Sequence, residues 1–63
     1  MKIDNLDLNY LFNLAKRKCT SMAVSWTRKT GYSVTVYANG QNSHHRHEDL
    51  AMALGKALEE VTE

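Results

Sequence analysis

The sequence predicts an α+β fold, a single two-layer domain of order α-β-β-β-α with a three-stranded antiparallel sheet and both helices on one face. Three observations lead there. Apolar residues recur at helical spacing near the start and again near the end of the chain. Between them, the pattern switches to alternation with a period of two. The alternating stretch is broken by two glycine-containing turn signals, Thr30-Gly31 and Asn39-Gly40. With 63 residues, there is room for one core, and residues 1–63 are read as one small domain.

The first helix is expected over about residues 5–18. Asp4 stands as its N-cap with Asp7 three positions on, a carboxylate form of the capping box. Leu8, Leu11, Phe12, Ala15 and Cys19 make the apolar stripe, widened by Leu6, Tyr10 and Leu14. Lys16, Arg17 and Lys18 suit the negative end of the helix dipole.

Residues 21–28 form the first strand, with Met22, Val24 and Trp26 facing inward and Ala23, Ser25 and Thr27 outward. Tyr32–Ala38 forms the second, with Tyr32, Val34, Val36 and Ala38 inward. A three-residue loop, Lys29-Thr30-Gly31, joins them and sets Trp26 opposite Val34 and Val24 opposite Val36. Trp26 is thereby the largest expected core side chain. Asn39-Gly40 suits a type I′ turn, so 41–46 returns as a third, polar strand with Ser43 and His45 inward opposite Val36 and Val34. Glu48 and Asp49 open a second helix that runs to about residue 62, with Leu50, Leu54, Ala57, Leu58 and Val61 on its buried stripe.

Composition narrows the function. Eight Lys and Arg against seven Asp and Glu give a net charge of +1, far from the strongly basic balance of a dedicated nucleic-acid binder. The longest apolar run, Leu50 to Leu54, is too short for a membrane span. Cys19 is the only cysteine, so no intrachain disulfide can form, and no apolar leader follows Met1-Lys2. The reducing cytoplasm is the expected compartment.

His44, His45 and His47 fall close together, but on a strand only two of them share a face, and zinc-type pair spacing is missing. Ser43 with His45, or Cys19 with a histidine, would supply nucleophile and base, but no oxyanion hole or phosphate loop accompanies them. No metal, cofactor or enzymatic activity is therefore expected.

The sheet leaves one face without helices. Among its outward residues, Ser25, Thr27, Thr35, Tyr37, His44 and Arg46 are the candidate partner-binding set, with small side chains that allow close approach and Tyr and Arg of the types enriched at interface hot spots. The edge of the first strand, Met22 to Thr27, carries no proline, glycine or charge, which predicts a homodimer or strand addition by another protein. A second surface is the basic pole of Arg28, Lys29, Arg46 and His47, near the start of the second helix, a place suited to phosphate.

The element order over nearly the whole chain resembles that of the double-stranded RNA-binding domain. The resemblance implies RNA contact through the first helix, the first inter-strand loop and the start of the second helix. Here that loop is Lys29-Thr30-Gly31, without the family's usual histidine, and His47-Glu48-Asp49-Leu50 replaces its lysine-rich helix start, so no RNA-contacting residue carries over.

The leading expectation is a non-enzymatic binding protein, by association with phage and mobile-element accessory proteins that inhibit a host macromolecule through protein contacts. The alternative is a nucleic-acid-binding regulator using the basic pole.

Overall fold

Residues 3–61 are described by a computed structural model. Helix α1 spans Leu8–Lys18, strands β1, β2 and β3 span Ser21–Thr27, Gly31–Ala38 and Gln41–His47, and helix α2 spans Leu50–Val61. The strands form one antiparallel sheet in the order β1-β2-β3. Both helices contribute to one core with the inner face of that sheet: Leu11, Leu14 and Ala15 from α1, Leu54, Ala57, Leu58 and Val61 from α2, and Val34, Val36 and Ala38 from β2. The α-β-β-β-α domain read from the sequence is thus the fold.

Several boundaries differ. Helix α1 starts three residues later than expected because Asp7, and not Asp4, is its N-cap: the Asp7 carboxylate accepts from the Asn9 N–H at 3.3 Å. The Asn5 side chain holds the Asp7 N–H in turn, at 2.9 Å. The segment ahead of the helix lies against α2, where the buried Ile3 donates its N–H to Glu59 at 2.8 Å and the Leu6 side chain lies beside Gly55. Helix α2 is capped by Asp49, which accepts from the Ala51 N–H with its carboxylate and from the Ala53 N–H with its carbonyl. Residue 62, the expected end of that helix, lies outside the described residues.

The β2–β3 hairpin has the expected register, Val36 opposite Ser43 and Val34 opposite His45. Asn39 and Gly40 both have positive φ, 54° and 77°, as a type I′ turn demands.

The β1–β2 hairpin is offset by two residues from the expected pairing. Val24 stands opposite Val34 and Trp26 opposite Tyr32, with Arg28, Lys29 and Thr30 forming the loop and Gly31 opposite Thr27. Thr27 Oγ1 accepts from the Thr30 N–H and shares a hydrogen bond with the Thr30 hydroxyl, which closes the loop one residue earlier than expected.

A two-residue offset leaves each side chain on its face, so Met22, Val24 and Trp26 still point to the helix side. They are not buried there. Met22 is half-buried, Val24 is 41% exposed and Trp26 59%, which overturns the expectation of Trp26 as the main core residue beneath the helices. The cause is how the helix layer sits: α2 packs on β2 and β3, and α1 packs against α2 without roofing the far end of β1. Loose packing is not the reason, because the Cα radius of gyration, 10.6 Å, is that of a close-packed chain of this length. On α1, Leu8 and Tyr10 are likewise exposed, although the helical pattern placed Leu8 on the buried stripe.

Candidate partner-binding face

Pairing across the outer face sets up three rows: Ser21, Tyr37 and Asn42; Ala23, Thr35 and His44; Ser25, Ser33 and Arg46. Odd-numbered positions on β1 and β2 and even-numbered positions on β3 point away from the helices, so the predicted residues Ser25, Thr35, Tyr37, His44 and Arg46 do share one surface. All are exposed except Thr35, which is half-buried in the central strand. Thr35 Oγ1 and His44 Nδ1 lie 2.7 Å apart, one hydrogen bond across the middle of the face. Tyr37 stands at the end near the β2–β3 turn, its backbone carbonyl accepting from both the N–H and the hydroxyl of Thr20. Thr27 is exposed but has its hydroxyl engaged in closing the β1–β2 loop. The result is a shallow surface of small polar groups between an aromatic ring and a guanidinium, about 13 Å apart along the strands.

The basic pole is also assembled. Arg28 and Lys29 occupy the hairpin loop, Arg46 and His47 end β3, and all four are exposed. Gly31 packs so closely on the chain leaving β3 that a Cβ there would lie 2.9 Å from the His47 carbonyl oxygen, so loop and strand end abut. The helix terminus beside them is already served: Asp49 caps α2, and the Asp49 N–H donates to His47 Nδ1 at 2.9 Å. With Glu48 and Asp49 both exposed there, two carboxylates stand among the four basic side chains.

On the inner face, Ser43 and His45 meet an unexpected partner, Glu60 of α2. The buried Ser43 hydroxyl donates to Glu60 Oε1, and His45 Nε2 lies 2.9 Å from Glu60 Oε2 without the alignment of a hydrogen bond, a contact that becomes an ion pair when the imidazole is protonated. The Ser43 hydrogen bond, then His45, holds the Glu60 carboxyl below the ordinary glutamate range. Ser43 is thus bound to a carboxylate and not to His45, and the nucleophile–base pairing considered from sequence is not formed. The signal was present in the sequence: a polar residue turned inward on a strand requires a partner, and Glu60 lies a helical turn from Ala57 and beside Val61.

Because the folded-state pKa of Glu60 is depressed, its contribution is fully present above the unfolded glutamate value, about 4.3, and disappears as pH falls through the lower folded value. The thermal midpoint is expected to decline modestly across that acidic window. Glu60→Gln should flatten the decline, as read by circular dichroism melts at stepped pH; an unchanged pH profile in the variant would remove Glu60 from the account.

The remaining chemistry-bearing groups are dispersed. His44 points outward and His45 inward, and among the described residues no three His, Cys, Asp or Glu side chains gather in a cluster that could hold a metal ion. Partial burial pushes the Cys19 thiol up, which keeps it protonated at neutral pH. Among the described residues, no helix is long and apolar enough to cross a membrane.

Fold and surface together define a small open-faced α+β domain in which, among the described residues, no helix covers the polar sheet face. No family model matches the chain, and neither a curated protein nor a solved structure matches it.

Proposed function

We infer that this chain is a non-enzymatic binding protein that docks onto another protein through the outer face of its sheet, occluding or scaffolding that partner. The observation carrying this reading is the shared surface of Ser25, Thr35, Tyr37, His44 and Arg46 on a face without helices, bordered by Thr27 at the hairpin end. Its centre is small and polar, and its two ends present the side-chain types that most often anchor interfaces. Inhibition of a macromolecule by steric occlusion needs no more than this, which keeps an accessory-protein role of the phage or mobile-element kind as the corresponding biological proposal.

The nucleic-acid alternative draws on Arg28, Lys29, Arg46 and His47, but Glu48 and Asp49 beside them weaken the attraction for phosphate. The test compares affinity capture from a lysate of the source cells by wild type, Tyr37→Ala and Thr35→Arg. A partner retained by wild type and lost with both variants, whose melting temperatures stay within a few degrees of wild type, supports the reading, since both positions lie outside the core. Binding to duplex DNA or RNA that falls steeply with salt, disappears with Arg28→Glu and Lys29→Glu, and is untouched by Tyr37→Ala would replace it with the alternative.

A further inference from the structure

We propose that two copies of this chain associate through β1, antiparallel and centred on Val24, into a continuous six-stranded sheet in which Val24, Trp26 and Met22 of both copies form an apolar seam. This stands apart from the partner-binding reading, because it uses the edge and helix side of β1 and not the outer face.

Four observations carry it. First, among the described residues β1 is paired with β2 on one side only, and Ser21–Thr27 contains no charge, proline or glycine, the devices that ordinarily discourage strand addition. Second, Val24 and Trp26 point to the helix side yet are 41% and 59% exposed, because α2 covers β2 and β3 instead. In a joined sheet, each copy would leave the same strip uncovered at the junction, and the two strips would lie side by side and pack laterally between the flanking helices.

Third, the sequence of β1 is compatible with its own two-fold image. Antiparallel pairing about Val24 overlaps all seven residues of the strand: Ser21 meets Thr27, Met22 meets Trp26, Ala23 meets Ser25, and Val24 meets Val24 of the partner. A shift by one residue would put the apolar side of one copy on the polar side of the other. A shift by two keeps the faces but leaves strand ends unpaired. An isologous contact of this kind sets like against like near its axis, which a charged strand could not tolerate; β1 is neutral throughout.

Fourth, size favours it. Domains this small bury a low fraction of their surface and gain stability from oligomerisation. A standard interface of about 800 Å² per partner is less than a fifth of the 4312 Å² exposed by one chain.

The test combines mass with a cysteine scan. Sedimentation of the wild-type chain across the micromolar range should give about twice 7.2 kDa, and Val24→Lys should give a folded monomer, because Val24 is already partly exposed in the single chain. In a Cys19→Ser background, Val24→Cys should form an intermolecular disulfide under mild oxidation, since directly opposed strand residues have Cα atoms about 4.5–5.5 Å apart, within disulfide reach. Thr27→Cys should not, as its own copy would lie at the far end of the paired strand. Dimer mass with cross-linking selective for Val24→Cys establishes the arrangement. A monomer throughout that range, or cross-linking equally efficient at Thr27→Cys, overturns it.

Discussion

Leu58→Ala is expected to remove a large part of the stability of this domain. Leu58 is fully buried on α2, in the cluster that joins both helices to Val34 and Val36. Truncation of such a leucine costs about 2–5 kcal/mol, the lost transfer energy plus the cavity left behind. A domain of 63 residues has on the order of 3–9 kcal/mol in total at ordinary stability per residue. The variant should therefore melt at least about 10 °C lower or be largely unfolded at room temperature, as followed by circular dichroism and urea titration. A loss under about 1 kcal/mol would mean that the core is not where α2 meets β2.

Gly31→Ala should have the second-largest effect, and Gly40→Ala separates its causes. Both glycines have positive φ, 76° and 77°, a conformation that costs a residue with a Cβ about 1–2 kcal/mol. At Gly40 none of the described residues comes within 4 Å of the added atom, so that cost stands alone. At Gly31 the Cβ would sit 2.9 Å from the His47 carbonyl oxygen and 3.1 Å from Glu48 Cα. Both are backbone atoms at the corner between β3 and α2, where Asp49 and His47 hold the chain through the Asp49 N–H. The corner must move or the hairpin must open, and the total loss should reach about 2–4 kcal/mol. Equal destabilisation of the two variants in urea titrations would show that crowding at the corner contributes nothing.

These effects concentrate where local sequence and tertiary packing meet, and the two contribute differently to what could be read in advance. The Asn39-Gly40 turn was legible because two residues that tolerate positive φ leave few hairpin geometries open, and that fixed the β2–β3 register and turned Ser43 and His45 inward. The sequence leaves the start of α1 open because Asp4 and Asp7 are both competent caps; only the hydrogen bonds around Asp7 and the docking of Ile3 on Glu59 distinguish them. The outer-face residues were legible because alternation alone assigns them, whatever the exact pairing.

What the sequence determined by itself was the element order, the side of the sheet on which each strand residue lies, and the geometry of its tightest turn. All three follow from short-range periodicity and allowed backbone angles. Tertiary structure alone decided the pairing of β1 with β2, because sliding a strand by two residues changes no face and so leaves no trace in the hydrophobic pattern. It also decided that Trp26 is uncovered and that Glu60 meets Ser43 and His45. Alternation says which way a side chain points, but only the position of a helix packed from elsewhere in the chain says whether anything lies above it.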